Sequence, residues 1–348
     1  MSGKRFSEAV LAWGVVHGRR GMAWHPLAGA MANPYFVWLS EIMLQQTQLT
    51  TVQAYFDRFI QRFPRVEDLA GAPLDDVLAQ WSGLGYYQRA RNLWASARLI
   101  CNSGEAVFPR TLADWTALPG VGRSTAAAIV SVVYGQREAI LDGNVKRLLA
   151  RCTAAPEPWA SAALERALWP KAIERLPPPG SEGTMPLYTQ SIMDLGATIC
   201  LPRQPLCNRC PLTEICVAYR MDAVDRYPVP RPQKNRPEEY RRWLLISDGP
   251  LWCLVKRPGS GIWAGLWTPP EWPVALEWPQ ESTGGGQLVH DFTHRRWIIE
   301  WREAKASDIG KRYGQPPNGH WFSQAELLGL ALPSPVRKLI GSIARGRV

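Results

Sequence analysis

Residues 118–144 read LPGVGRSTAAAIVSVVYGQREAILDGN, and this stretch decides the fold. Gly120 and Gly122 flank Val121, and glycines leave the backbone amides of a tight turn uncovered by side chains. Such amides bind phosphate, as helix N-termini also do, without contacting a base. The small apolar residues that follow predict a helix buried on nearly every side, and one helix length after the turn comes a lone carboxylate, Asp142. The stretch therefore predicts a turn that holds a nucleic-acid backbone, with a single acid nearby.

The composition favours a polyanionic partner and two packed domains. The 348 residues include 40 Lys and Arg against 30 Asp and Glu, a net charge of +10, and 46% of them are hydrophobic. No run of about 18 apolar residues indicates a membrane span. The N-terminal residues contain no apolar stretch typical of a signal peptide, so we expect a cytoplasmic protein.

Helical periodicity prevails up to residue 200, and nothing before the cysteines is typical of a strand. A first helix is predicted to begin at Ser7. Asn33 and Pro34 then supply a cap and a first-turn proline for a second helix. Its periodic pattern continues to Phe63, which is long for one helix, so we expect a break within residues 45–51.

The composition changes after the cysteines. Four prolines among basic residues at 226–238 predict a stiff, exposed linker. Alternating runs and turn residues then predict strands, followed by a closing helix; the runs are 242–247, 251–256, 287–292 and 296–302, and the helix is 335–343. The predicted fold is a mainly α domain at 1–225 and a smaller α/β domain at 239–348.

Four of the seven cysteines lie within 17 residues: Cys200, Cys207, Cys210 and Cys216. In a reducing compartment such a group favours a metal site over disulfides. A structural zinc site usually pairs two Cys-x2-Cys motifs, and this loop has one. Four thiolates so spaced suit a [4Fe-4S] cluster at least as well, and the spacing alone leaves both metals open.

Several motifs together resemble the MutY-type adenine DNA glycosylases, helix-hairpin-helix enzymes of the endonuclease III superfamily. The hairpin motif is residues 118–122, and the others are LSEIMLQQTQ at 39–48, GLGYYQRARNL at 83–93 and YTQSIMDLG at 188–196. The resemblance covers most of residues 33–220. It implies a [4Fe-4S] cluster held by the four cysteines in a loop at 200–216. Ala23-Trp24-His25 departs from the Leu-Pro-Trp usual in the family.

The same resemblance implies a catalytic set. Glu41 would be the general acid that protonates adenine, and Asp142 would stabilise positive charge on the sugar, with Asn144 and Ser124 placing Asp142 or a water molecule. Taken alone, Glu41 is an ordinary solvated helix residue and Asp142 an ordinary helix cap. The resemblance also makes Gln46 and Tyr86 the residues that insert into the base stack, while the hairpin of Gly120, Val121 and Gly122 holds the DNA backbone.

Ser124 separates two reaction types. Bifunctional relatives such as endonuclease III carry a lysine at this place, which attacks the sugar and forms an imine. A serine hydroxyl forms no imine, so we expect a monofunctional glycosylase without an efficient lyase step. The alternatives are an endonuclease III-like glycosylase and lyase for oxidised pyrimidines, or a non-catalytic iron-sulfur protein that binds DNA.

The second domain resembles the Nudix-like module of the same family. Residues 261–267 are similar to the start of a Nudix fold, but the glutamate-rich helix that binds metal is missing after Glu271, so no pyrophosphatase activity is expected. Phe292, Thr293 and His294 match the family signature for 8-oxoguanine, although alone they indicate only a strand end. The resemblance implies a monomer acting on double-stranded DNA with adenine opposite 8-oxoguanine or guanine.

Overall fold

A computed structural model describes residues 3–24, 32–102, 104–231, 235–313 and 319–343; His25 of the atypical segment lies outside them. The chain forms two compact units. The first comprises Met1–Gly71 and Asn92–Gln233, and the second comprises Ala72–Arg91 and Lys234–Val348. Within the described ranges no helix has both the length and the apolarity needed to cross a membrane.

The first unit is helical, and its described residues contain no β-strand, as predicted. Its helices are α1 (Gly3–His17), α2 (Pro34–Leu44), α3 (Leu49–Arg62), α4 (Val66–Gly71), α7 (Leu112–Thr116), α8 (Arg123–Tyr134), α9 (Gly143–Thr153), α10 (Ala162–Glu174), α11 (Met185–Thr198) and α12 (Val217–Arg220). Helix α5 (Leu74–Gln80) belongs to the second unit, and α6 (Gln88–Ile100) begins in the second and continues into the first.

The predicted boundaries of α2 are confirmed. The Asn33 side chain accepts a hydrogen bond from the Tyr35 N–H at 2.9 Å, and Pro34 opens the helix. The predicted break falls between α2 and α3. Helix α1 begins at Gly3 and not at Ser7, because the Ser7 hydroxyl donates to a carbonyl within the helix and caps no N-terminus.

Helix α8 is the buried centre of the first unit. Residues 126–131 and 133 are buried, which requires the small side chains that its sequence supplies. It ends at Gly135, whose φ of 68° is the left-handed conformation that glycine adopts without strain. Helices α2, α7 and α11 pack against it. This packing brings the C-terminal end of α2 to the N-terminal end of α8, where the Gln45 amide donates to the Thr125 hydroxyl at 3.3 Å.

The second unit contains a mixed six-stranded sheet. Its strands are β1 (Glu238–Asp248), β2 (Leu251–Lys256), β3 (Trp267–Thr268), β4 (Thr283–Asp291), β5 (Arg296–Lys305) and β6 (Gly319–Ser323). The order is β3-β2-β1-β5-β4, with β6 also paired to β2, and only the β1–β5 pairing is parallel. This unit also contains α13 (Ala306–Tyr313), α14 (Gln324–Gly329) and α15 (Ser334–Ile343), in addition to α5.

Strand β1 departs from the predicted alternation. Trp243, Leu244, Leu245 and Ile246 are all buried, because helix residues cover both faces of the sheet at this central strand. The strand begins at Glu238, within the predicted linker. The linker's first residues are not fully exposed either, since the Val229 carbonyl accepts a hydrogen bond from the Trp159 N–H at 2.7 Å.

Candidate active site

Glu41 lies on α2 and is half-buried within the first unit. Removal of its carboxyl from water, together with the smaller effect of the negative charge of the neighbouring Asp142, raises its pKa to about 8. At neutral pH Glu41 therefore retains its proton. A protonated carboxyl within reach of a bound base is a general acid.

Asp142 is the N-cap of α9. Its carboxylate accepts a hydrogen bond from the Val145 N–H at 2.7 Å, so the helix-cap interpretation of this residue is correct. The preceding residue is also fixed, because the Leu141 N–H donates to the Ser124 hydroxyl at 2.9 Å. Burial raises the pKa of Asp142, while the hydrogen bond from Val145 and the positive charge of Arg147 lower it.

The two carboxyl groups thus have different surroundings. Glu41 has a raised pKa whose two causes, burial and the Asp142 charge, both favour its protonated form. The pKa of Asp142 is also raised, above all by burial, but backbone donors and nearby cations act against burial and favour its anionic form. Two neighbouring carboxyl groups in different surroundings are the arrangement that glycoside hydrolysis uses, one group giving a proton and the other stabilising a cationic sugar.

Sequence inspection missed Arg147, a buried residue on α9. Its guanidinium donates to the Asn144 side-chain oxygen at 2.9 Å, to the Gly196 carbonyl at 2.6 Å and to the Cys200 carbonyl at 2.7 Å. Arg151, one turn later, donates to the Cys200 sulfur at 3.3 Å. The two arginines therefore connect the helix that starts at Asp142 to the cysteine loop. Their spacing of four residues placed them on one helix face, but nothing in the sequence showed that the face is buried.

The four cysteines of the loop line one cavity, together with the buried Cys152 and the Arg151 guanidinium. Within the described ranges no three His, Cys, Asp or Glu side chains converge closely enough to hold a single metal ion. Four thiols that line one cavity are the donor set of a [4Fe-4S] cluster, whose iron atoms each take one cysteine, so the residues present fit that group.

The hairpin has the predicted form. Val121 is buried and anchors the turn, whereas Gly120 and Gly122 are exposed. Gly120 has a φ of 75°, and a Cβ there would lie 2.7 Å from the Asn92 side chain. Glycine is therefore required at residue 120 both for conformation and for space.

Gln46 and Tyr86 share an uncommon backbone conformation, although they belong to different units. Their φ angles are 60° and 50°, a region that non-glycine residues rarely adopt. Both are exposed, while Tyr87 is buried, which agrees with its interpretation as a core aromatic residue. Backbone strain of this kind is concentrated at functional sites.

Residues 292–294 form the turn between β4 and β5, closed by a hydrogen bond from the Phe292 N–H to the Arg295 carbonyl at 2.8 Å. The Phe292 ring packs against Trp263 and Trp297, with ring centroids 5.3 and 5.1 Å apart. Thr293 and His294 are exposed. The turn therefore presents two polar side chains on a rigid aromatic base.

The residues after Glu271 form no helix before β4, so no metal-binding helix of the Nudix type stands there. The Glu271 carboxylate lies instead beside two arginines, 2.7 Å from Arg257 and 3.8 Å from Arg241. Its negative charge is thus neutralised by the protein itself.

Two family models match separate parts of the chain. Residues 39–171 match the HhH-GPD superfamily base excision DNA repair proteins, and residues 242–342 match the NUDIX domain. Among solved structures, a thermostable thymine-DNA glycosylase aligns with a TM-score of 0.53 and 27% identity, covering 63% of this chain and 97% of that chain. An endonuclease III–DNA complex aligns with a TM-score of 0.51 and 20% identity, over 64% of this chain and 98% of that chain, which shows the fold.

Curated relatives extend over both domains. Adenine DNA glycosylase of Buchnera aphidicola subsp. Schizaphis graminum is 33% identical over 346 residues, which is 96% of this chain and 97% of the relative. Adenine DNA glycosylase of Mus musculus is 32% identical over 404 aligned positions, covering 96% of this chain and 77% of the relative. The chain belongs to the adenine DNA glycosylase family, within the helix-hairpin-helix superfamily of base excision repair proteins.

Proposed function

We propose that this protein is a monofunctional glycosylase that removes adenine mispaired with 8-oxoguanine, or with guanine, from double-stranded DNA. The observation that carries the proposal is the pair of Glu41 and Asp142, two neighbouring carboxyl groups of which Glu41 is protonated at neutral pH, while Asp142 has backbone donors and cations beside it that favour the anion. Breaking an N-glycosidic bond requires a proton on the departing base and stabilisation of a cationic sugar, and this pair supplies both.

In the proposed reaction, Glu41 donates its proton to N7 of adenine, and the bond between the base and C1′ of the sugar breaks. Asp142 stabilises the resulting oxocarbenium ion as an anion. Water then adds to C1′ and loses a proton to Glu41, which restores the acid. Ser124 has a structural role, because its hydroxyl accepts a hydrogen bond from the N–H of Leu141, the residue before Asp142. Since Ser124 stands where a lyase has its lysine, the abasic strand stays intact.

Adenine must leave the base stack before this chemistry, at a cost of a few kcal/mol that is lowest at a mispair. We propose that Gln46 and Tyr86 fill the resulting gap. The exposed amides around Gly120 and Gly122 hold the DNA backbone through a phosphate, and the exposed polar residues Thr293 and His294 recognise 8-oxoguanine on the opposite strand.

We further propose that Cys200, Cys207, Cys210 and Cys216 hold a [4Fe-4S] cluster. The cluster would order the loop and supply no open iron to the substrate, since each iron is bound by a cysteine. Arg151 would donate a hydrogen bond to a ligand sulfur, as it does to Cys200. A cluster of this kind needs reduced thiols, which agrees with a cytoplasmic location.

The test is excision from a duplex that carries one adenine opposite 8-oxoguanine. Strand breaks are measured with and without hot alkali. We expect breaks only after alkali for the native protein, and none for Glu41→Gln or Asp142→Asn, both of which should still bind the duplex. Glu8→Gln, at an exposed carboxylate of α1, is the matched control and should cut as the native protein does. Breaks without alkali would establish the lyase alternative, and excision by Glu41→Gln would contradict the role of the acid.

A further inference from the structure

Residues 72–91 carry Tyr86 and belong to the second unit, together with the Nudix-like sheet. In the sequence this segment lies between helices of the first unit, and the two nearest strands begin at residues 238 and 251. Residues 72–91 therefore fold with the C-terminal module, although in the sequence they lie among the helices of the first unit.

The buried hydroxyl of Ser82 connects residues 72–91 to the C-terminal module through hydrogen bonds. Ser82 is 5% exposed, and its hydroxyl donates to the Leu332 carbonyl at 3.2 Å. The same oxygen accepts hydrogen bonds from the Leu332 N–H at 3.3 Å and from the Arg337 guanidinium at 2.6 Å. Ser82 thus serves as both donor and acceptor in a buried site. Removing its hydroxyl would leave buried groups of Leu332 and Arg337 without this hydrogen bond, which costs free energy.

Tyr87 fixes the other end of the same turn. Its hydroxyl donates to the Leu332 carbonyl at 2.7 Å and accepts from the Gly83 N–H at 3.3 Å. Leu332 is itself buried in the core of the sheet, with Trp243 and Trp297. The turn from Ser82 to Tyr87 is therefore attached at both ends to a rigid part of the C-terminal module.

Tyr86 lies within this turn in a conformation that must be held. Its φ is 50°, and its side chain is 52% exposed. The Arg89 guanidinium lies 5.5 Å from the centre of the Tyr86 ring and donates to the Gly85 carbonyl at 3.1 Å. A left-handed backbone at a tyrosine persists only where the surroundings enforce it. The attachments at Ser82 and Tyr87 provide that constraint.

The turn proposed to recognise 8-oxoguanine rests on the same core. Phe292 packs against Trp297, which shares its cluster with Leu332. One packed core thus supports both the turn at Phe292 and the turn at Tyr86.

We propose that Ser82 and Arg337 are positioning residues through which the C-terminal module holds Tyr86 ready to enter the base stack. This inference rests on the proposed function, in which Tyr86 is the inserted residue. Its consequence is that the C-terminal module contributes to extrusion of the adenine, in addition to recognising the opposite base.

The experiment measures extrusion directly, with full-length protein and a duplex in which 2-aminopurine replaces the target adenine opposite 8-oxoguanine. Fluorescence rises as that base leaves the stack. We expect Ser82→Ala and Arg337→Met to lower the extrusion rate about tenfold, the effect of losing about 1.4 kcal/mol, with duplex affinity retained. Ser131→Ala is the matched control, since Ser131 is also a buried serine that donates to backbone carbonyls, and it should leave extrusion unchanged. Thermal unfolding of all variants verifies that they fold.

A double-mutant cycle separates the two proposals. If Ser82 acts through Tyr86, then Ser82→Ala should have no further effect on extrusion once Tyr86→Ala is present. Additive effects, or equal losses in Ser131→Ala, would overturn the positioning role. If Tyr86→Ala by itself left extrusion unchanged, the insertion role within the proposed function would fail instead.

Discussion

The raised pKa of Glu41 predicts that this carboxyl, the proposed general acid, destabilises the folded protein at neutral and alkaline pH. Between its ordinary pKa of 4.5 and its folded pKa of about 8, the folded protein retains a proton on Glu41 that the unfolded chain has released. Stability must therefore fall as the pH rises through this interval. Replacing Glu41 with glutamine removes the titrating group and should remove most of this fall.

The two pKa values set the size of the effect. Between pH 5 and pH 8 they give a loss of about 3 kcal/mol in the native protein, which Glu41→Gln should not show. Asp142 also has a raised pKa, so a fall of the same sign from Asp142 should persist in the variant. The glutamine variant is accordingly expected to be inactive and, at pH 8, more stable than the native enzyme, a trade-off common at active sites.

Urea unfolding at pH 5, 6, 7 and 8, followed by the helical circular dichroism signal, measures the difference in free energy of unfolding. The m-value should be the same for both proteins, so that midpoints report stability. Glu8→Gln is the control, because it makes the same substitution at an exposed carboxylate of α1. Parallel curves for the native protein and Glu41→Gln across this range would refute the raised pKa, and with it the assignment of Glu41 as an acid protonated at neutral pH.

Two further outcomes follow from the packing around α9 and the cysteine loop. Gly196→Ala should lower the unfolding midpoint and the excision rate, because a Cβ there would lie 2.8 Å from that of Asn144. Gly143→Ala is the control, because a Cβ at residue 143 would lie in open space. Equal losses in both variants would contradict this explanation. Cys200→Ser should lower iron and acid-labile sulfide per chain several-fold, as measured by chemical analysis, whereas the buried Cys253 outside the loop should be replaceable without loss; unchanged iron in Cys200→Ser would exclude it as a ligand.

Local patterns in the sequence determined the elements of the fold. Asn33 with Pro34 predicted the start of α2, and the structure confirms it because a cap depends only on residues within one turn. The same holds for the hairpin of β1 and β2. The family motifs and the match to adenine DNA glycosylases are likewise properties of the sequence. The start of α1 and the alternation of β1 were wrong, because each depends on partners outside the segment.

Only the tertiary structure decided how those motifs act together. The pKa of Glu41 depends on its burial and on the distance to a carboxylate about a hundred residues away, and no local pattern contains either quantity. The contacts of Arg147 with Gly196 and Cys200 arise the same way, from helices that meet only after folding. The attachment of Ser82 to Leu332 spans 250 residues. The sequence thus specified which residues are present and which local structures they form. Packing specified which of them interact electrostatically, which pKa values change and which distant groups form hydrogen bonds.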